Sequence, residues 1–132
     1  MVRGIAAALD AGVDSTFHED GHQLLAELGL PIPTCGQVIV PGTGATDCLL
    51  RRPTATRPPL GLVVQWDGIH HRIVTAKRRH DRYRDRLIDR GGYYVEHIDH
   101  PDMAARAAVS QRLMAAWLNV MDGVWPPPRS TA

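Results

Sequence analysis

The sequence predicts an α/β fold in which helices pack on a central mixed sheet of about four strands, in the order α-β-β-β-α-β-α. Three observations predict it: four short apolar runs of β type, three helical apolar stripes, and an order that places three strands before the second helix. The 132 residues suffice for one compact domain and are too few for two. We expect a lead-in at 1–14, a single domain at 15–121 and a flexible, proline-rich tail at 122–132.

The first helix is predicted over Ser15–Leu28 in the segment "STFHEDGHQLLAELGLP". Ser15 suits the N-cap position, because its hydroxyl can accept a hydrogen bond from the first helical turn. Leu24, Leu25 and Leu28 give the helix an apolar face. Gly29 and the prolines that follow are typical of a helix end.

Three strands are predicted next, over Gln37–Val40, Asp47–Leu50 and Leu60–Trp66. The "PGTG" sequence separates the first two and is strong turn chemistry. The proline-rich "RRPTATRPP" segment indicates a loop before the third. Because Leu60–Trp66 is continuously apolar, we expect it to be a central strand that is buried on both faces.

The second half of the chain predicts a helix over Lys77–Arg90, a strand over Tyr93–Ile98 and a helix over Ala104–Val120, with Pro101 near its start. In the Lys77–Arg90 helix each of three arginines has an aspartate three residues on, and we expect these residues to form ion pairs. The side chains expected in the core are those of Leu62, Val63, Val64, Leu87, Ile88, Val95, Leu113 and Trp117, with Tyr83 on the core side of its helix.

Charge is distributed unevenly along the chain. The whole chain has a net charge of +1, but residues 51–90 hold 11 basic and 4 acidic residues, a local excess of +7. Such a segment can follow a phosphate backbone, which favours a nucleic-acid partner. The alternative is a solvated helix face whose charges pair with one another. The candidate nucleic-acid contacts are Arg78, Arg79, Arg82 and Arg86.

Hydropathy and cysteine content indicate the compartment. No apolar run approaches the roughly 20 residues of a membrane-spanning helix, and we expect neither a membrane partner nor a secretory leader. Cys35 and Cys48 form no CxxC pair. We therefore expect two reduced thiols in a cytoplasmic protein, rather than a disulfide or a zinc site.

Two aspartates suggest a metal site. Asp47 begins one predicted strand and Asp67 ends the next, so their carboxylates meet at one sheet edge if the strands are neighbours. Paired carboxylates suit Mg²⁺ or Mn²⁺, and a metal so placed can activate water and neutralise a phosphodiester transition state. His70 and His71 follow, and on an extended chain at most one of them faces the site. The alternative is structural, because Asp-Gly is common turn chemistry and Asp47 can cap a turn.

Taken in order, these segments resemble the small endonuclease-like domains related to very-short-patch-repair (Vsr) endonucleases, within the PD-(D/E)xK restriction-endonuclease-like superfamily. The resemblance covers roughly Ser15 to Leu118. It begins with the helix that ends in "GLP", where Glu19 (or His18) has the place of the family's acid. "TDCLL" and "QWDGIHH" match the two motif strands. The other matching residues are Asp47, Gln65, Asp67, Gly68, His71, Asp81, Arg84, Ile88, Gly92, Tyr93 and Val95, with His97 at the last position.

The resemblance implies a restriction-endonuclease-like fold and a Mg²⁺-dependent DNA endonuclease. Asp47 and Asp67 would hold the metal, and His71 would act as general acid or base, with Glu19 and Gln65 at the remaining catalytic positions. Gln65 departs from the family pattern, because it is a neutral amide where the family has an acid. His97 departs too, since the family has arginine there. We therefore expect weak metal binding and slow or absent DNA cleavage.

Two alternatives stay open beside the nuclease. One is a nuclease-dead domain that binds DNA or regulates, as similar domains in abortive-infection antitoxins suggest. The other is a dead domain recruited as an assembly component, for example of a phage particle, which would make it virion-associated and give it a protein partner. Gln65 favours these alternatives, whereas the retained Asp47, Asp67 and His71 favour the nuclease. The sequence leaves the oligomeric state open.

Overall fold

The computed structural model describes residues 17–67 and 75–128, apart from the side chains of Asp67, of residues 75–81 and of His100. The described residues form a mixed α/β arrangement of helices and strands, which confirms the predicted class. No helix in the described ranges is long and apolar enough to cross a bilayer. The elements are α1 over 17–27, β1 Cys48–Arg51, β2 Gly61–Asp67, α2 Thr75–Arg90, β3 Tyr93–Asp99, a 3-10 helix His100–Ala105 and α3 Arg106–Met121.

The sheet has the strand order β1-β2-β3. β1 runs antiparallel to β2, with Cys48 opposite Val64. β3 runs parallel to β2, with Asp67 beside Asp99, and α2 lies between these two strands in the chain. β2 is therefore the central strand, as its continuous apolar run predicts, and Val63 and Val64 have no exposed surface.

The prediction of a strand over Gln37–Val40 is wrong. Within residues 17–67 and 75–128 the sheet has three strands rather than about four. This segment is a loop, closed by a hydrogen bond from the Thr46 N–H to the Gln37 carbonyl at 2.9 Å. The composition of the segment favours a strand. Val38, however, is 61% exposed, so its side chain faces solvent rather than an apolar surface. The outer edge of β1 instead receives a single bridge, from Thr34 to Leu49.

One face of the sheet packs against α1 and α3. Trp66 of β2 meets Phe17 of α1 edge to face, with ring centroids 6.0 Å apart. Leu24 and Leu25 of α1 are buried in the same cluster. The stripe predicted for the last helix is confirmed, since its five members are all buried: Val109, Leu113, Ala116, Trp117 and Val120.

The other face packs against α2. Ile88 is buried there with Leu49, Val63 and Tyr93. Tyr83, predicted on the core side, is 56% exposed. Ile88 and Arg84 lie four residues apart and share the sheet-facing side of the helix, which turns Tyr83 outward. Two further residues predicted in the core, Leu87 and Val95, are only half-buried.

The last α-helix starts later than the predicted position, Ala104. The 3-10 helix follows β3 directly, and α3 begins only at Arg106. Asp102 accepts the backbone N–H of Asp99 at 2.8 Å, which fixes the first turn after the strand. Within the predicted tail, the Tyr94 hydroxyl donates to the Val124 carbonyl at 2.6 Å.

Gly21 of α1 offers a direct test of the packing around Trp66. A glycine-to-alanine change inside a helix ordinarily adds about 1 kcal/mol of stability. At Gly21 the new Cβ would lie 2.6 Å from Cε2 of Trp66. We expect Gly21→Ala to lower the free energy of unfolding by about 1–3 kcal/mol, measured by urea denaturation.

The matched control is Gln23→Ala, an exposed position of the same helix, which should change stability by less than about 0.5 kcal/mol. In a Trp66→Phe background the smaller ring leaves room for the Cβ, so the cost of Gly21→Ala should shrink. A stabilising Gly21→Ala, or an equal cost in both backgrounds, would contradict the packing.

Candidate functional site

Gln65 is a polar side chain in the middle of a buried strand, with 1% of its surface exposed. Its Oε1 accepts the backbone N–H of Asp47 at 2.9 Å. In return, Oδ2 of Asp47 accepts the backbone N–H of Trp66 at 2.8 Å. These two bonds, which we call the Asp47–Gln65 clasp, join the start of β1 to the end of β2.

The clasp continues into a row of polar side chains across the α2 face of the sheet. His97 of β3 is the register partner of Gln65. The ring Nε2 of His97 contacts the Asp85 carboxylate, which α2 supplies from above the sheet. Asp47, Gln65, His97 and Asp85 thus form one row, which we call the polar layer.

Three buried polar atoms in and beside the polar layer find no hydrogen-bond partner within the described part of the chain. They are Nε2 of Gln65, Nε of Arg84 and Oδ1 of Asp85. Buried polar atoms are nearly always paired, and an exception points to a bound water, an ion or a catalytic role. Arg84 lies on the sheet-facing side of α2, one turn before Ile88. The polar layer is therefore the candidate functional site.

The structure brings two predicted site residues, Asp47 and Gln65, into direct contact. Asp67 ends β2 two residues beyond Gln65, with Asp99 as its neighbour on β3. The expected approach of the Asp47 and Asp67 carboxylates to within about 4–6 Å stays a prediction, because the Asp67 side chain lies outside the described residues. The prediction for His71 lies outside them as well.

Glu19 is not joined to the polar layer by any contact among the described residues. It is exposed on α1, and α1 packs through Phe17 against the opposite face of the sheet from Gln65. His18, its alternative, lies beside Phe17 in the same turn. The proposed catalytic role of Glu19 stays a prediction from the resemblance.

The donors that the structure describes fit Mg²⁺ poorly. Mg²⁺ takes oxygen ligands in near-octahedral geometry. One oxygen of Asp47 already accepts the Trp66 N–H, and the oxygen of Gln65 already accepts the Asp47 N–H. What remains of Gln65 is an NH₂ group, which donates hydrogen bonds and does not bind cations.

The predicted arginine–aspartate pairs of α2 do not form where both side chains are described. No ion pair joins Arg82 to Asp85 or Arg86 to Asp89. Asp85 contacts His97 instead, because it lies on the side of α2 that faces β3. Arg82 and Arg86 are exposed, so their charges face solvent. The side chains of the other two candidates, Arg78 and Arg79, lie outside the described residues.

A second cluster lies on the apolar face of β1, and sequence reasoning missed it. Nε2 of His22 lies 3.0 Å from Sγ of Cys48 and 3.6 Å from Sγ of Cys35. Both cysteines are free thiols, with Cys35 exposed and Cys48 buried. Burial raises the pKa of Cys48 to about 12, although a hydrogen bond from the Trp66 ring acts in the opposite direction. The spacings of 13 and 26 residues match no short ligand motif, so the sequence carries no local signal of this cluster.

No family model, curated protein or solved structure matches this chain. The likeness to Vsr-related endonucleases therefore rests on the motif residues alone. The α/β class stands independently of that likeness, since it follows from the strands and helices themselves.

The Asp47–Gln65 clasp predicts a difference between two substitutions of Asp47. Asp47→Ala leaves the Trp66 N–H without its acceptor, and we expect a loss of about 1–3 kcal/mol in the free energy of unfolding. Asp47→Asn keeps an oxygen at the same place and should cost less than about 0.5 kcal/mol. Urea denaturation of both variants measures the difference.

Asp89→Ala is the matched control, because it removes an exposed carboxylate from α2 that has no ion pair within the described side chains. It should leave stability nearly unchanged. Equal losses for Asp47→Ala and Asp47→Asn would show that the charge of Asp47, rather than its hydrogen bond, stabilises the fold.

Proposed function

We propose that this chain is a DNA-binding, endonuclease-like protein whose Mg²⁺ site is weakened, so that DNA cleavage is slow or absent. The observation that carries the proposal is the orientation of the Gln65 amide. Its oxygen binds the Asp47 N–H, so its remaining polar group is a hydrogen-bond donor. A donor at the place of the family's acid opposes a cation instead of ligating it.

The face of α2 supports DNA as the partner. Arg82 and Arg86 are exposed. Within the described side chains neither arginine forms the predicted ion pair with the aspartate three residues on. Arginine contacts to phosphate depend on charge and geometry, and they need no metal. α2 also covers the face of the sheet that holds the polar layer. Arg86 lines one surface pocket with Asp85 and His97, so a phosphate bound by Arg86 would lie next to the candidate site, even where cleavage is lost.

The second candidate is a domain that has lost nuclease activity and serves regulation or assembly. The internal bonding of the polar layer favours it. Asp47 is hydrogen-bonded to Gln65, and His97 pairs with Asp85, and such internal pairs are also how a purely structural polar row would be arranged. The two candidates differ in one respect that can be measured, namely whether an acid at position 65 brings out metal binding and cleavage.

The Gln65→Glu substitution tests the metal site. One carboxylate oxygen can still accept the Asp47 N–H, and the other replaces the NH₂ group with a ligand for Mg²⁺ or Mn²⁺. We expect Mn²⁺ to raise the melting temperature of Gln65→Glu more than that of the native protein. We also expect faster nicking of supercoiled plasmid and of mismatched duplex by the variant.

Two controls separate the explanations. Gln111→Glu adds the same charge at an exposed position of α3, on the opposite face of the sheet, and should change neither readout. Gln65→Glu combined with Asp67→Ala should abolish any new cleavage. Rapid cleavage by the native protein would show that the glutamine is no handicap. A Gln65→Glu variant that neither binds Mn²⁺ nor cuts would favour the regulatory or assembly candidate.

The arginines of α2 give a separate prediction about DNA binding. The Arg82→Gln and Arg86→Gln double substitution should weaken duplex binding and lower the slope of log K against log salt by about 2, or about 1 for each arginine that no longer meets a phosphate. Fluorescence anisotropy with a labelled duplex over a salt series measures both quantities.

Arg57→Gln is the matched control, because Arg57 is exposed in the loop before β2, at the far end of that strand from Gln65. It removes one positive charge of the same basic segment and should leave the salt slope unchanged. If Arg57→Gln lowers affinity as much as Arg82→Gln alone, binding follows net charge and the α2 face has no special role.

A further inference from the structure

Three residues from distant parts of the chain place their nitrogen and sulfur atoms together beside β1. His22 comes from α1, Cys35 from the loop that follows it, and Cys48 from the first position of β1. Nε2 of His22 lies 3.0 Å from the sulfur of Cys48 and 3.6 Å from the sulfur of Cys35. The three potential ligand atoms all lie within 4.8 Å of one another.

These separations lie near those of a tetrahedral metal site. With Zn–S bonds of about 2.3 Å and Zn–N bonds of about 2.0–2.1 Å, neighbouring ligand atoms in a tetrahedron are about 3.5–3.8 Å apart. The His22–Cys35 separation already has that value. The His22–Cys48 separation needs to widen by a fraction of an ångström, which a small rotation of the imidazole provides. The geometry therefore lies close to a binding arrangement before any ion enters.

We propose that His22, Cys35 and Cys48 form a binding site for a thiophilic divalent cation of the Zn²⁺ type, with water as the fourth ligand. Two thiolates and one imidazole select such ions over Mg²⁺, which takes oxygen ligands. Three protein ligands and an open position are a known zinc arrangement. Cys35 is exposed, so the open position faces solvent and an ion can enter from that side.

The surroundings of Cys48 suit a metal-bound sulfur. The ring Nε1–H of Trp66 donates to Cys48 Sγ at 3.1 Å. Such a hydrogen bond holds the sulfur in place and disperses charge from a thiolate ligand, as outer-shell partners of metal sites do. Cys48 also belongs to the buried apolar cluster that includes Leu24, Leu25 and Leu50.

An ion at this place would add a link among three segments, of which the Cys35 loop and β1 are already joined by the Thr34–Leu49 bridge. It would tie α1 and the loop at Cys35 to the start of β1, next to Asp47. This inference does not depend on the proposed DNA-binding function, because the cluster lies on the opposite face of the sheet from the polar layer.

The test is a titration of the reduced, chelator-treated full chain with Co²⁺ and then Zn²⁺ under anaerobic conditions. We expect one Co²⁺ per chain, with thiolate-to-cobalt charge-transfer absorption and the intense d–d bands of tetrahedral cobalt, both abolished by Zn²⁺. Zn²⁺ should also raise the melting temperature and slow the alkylation of Cys35. Weak d–d bands without charge transfer, or no binding at all, would overturn the proposal.

Ligand variants make the test specific. His22→Gln and Cys35→Ser change a half-buried and an exposed side chain, so both should fold, as circular dichroism can verify. Each variant should lower the affinity for Zn²⁺ by more than the roughly 10–100-fold loss that follows removal of an outer-shell partner. His18→Gln removes an imidazole from the same helix outside the cluster and should bind Zn²⁺ as the native protein does. Unchanged Zn²⁺ affinity in both ligand variants, or a Cys35–Cys48 disulfide in protein purified without reductant, would contradict a metal site.

Discussion

The side-chain oxygen of Gln65 accepts the N–H of Asp47 inside a strand that water does not reach. β2 is covered on both faces, so a polar group placed on it must find its partner within the protein. Asp47, directly before β1, provides one partner, and β3 places His97 beside Gln65. A slip of one residue in the strand register would turn Gln65 toward the apolar face. The polar layer therefore forms only in this strand register, and the need to pair Gln65 in turn favours this register over a shifted one.

The alternation of side chains along β1 separates two kinds of ligand chemistry. Cys48 faces the apolar cluster beneath α1 and α3, whereas Asp47, one position earlier, reaches the end of β2. The carboxylates of Asp47 and Asp85 thus lie with His97 in the polar layer, while the cysteine thiols lie with His22 on the other side. Hard cations prefer the first set and thiophilic cations prefer the second. The two proposed sites lie close together in the chain but differ in their donor atoms.

The sequence by itself determined the α/β class, the buried central strand and the stripe of the last helix. These features follow from local patterns, because a continuous apolar run needs cover on both faces and a helical stripe needs one packed face. The resemblance to endonuclease-like domains predicts that Asp47 and Gln65 share a catalytic site; the structure shows a hydrogen bond between them, and the catalytic role stays a prediction. That prediction came from the order and spacing of the motifs, which can be read directly from the sequence.

Only the tertiary structure decided which groups meet across the fold. The β-branched segment at 37–40 has strand composition, yet the edge of β1 offers it no continuous partner, and it remains a loop. Asp85 contacts His97 rather than Arg82, because the packing of α2 on β3 brings the histidine nearer the carboxylate than the arginine. His22 meets Cys48 across 26 residues of sequence. Such pairings depend on how whole helices and strands pack together. Local propensity describes only neighbouring residues, so it cannot predict which distant residues meet.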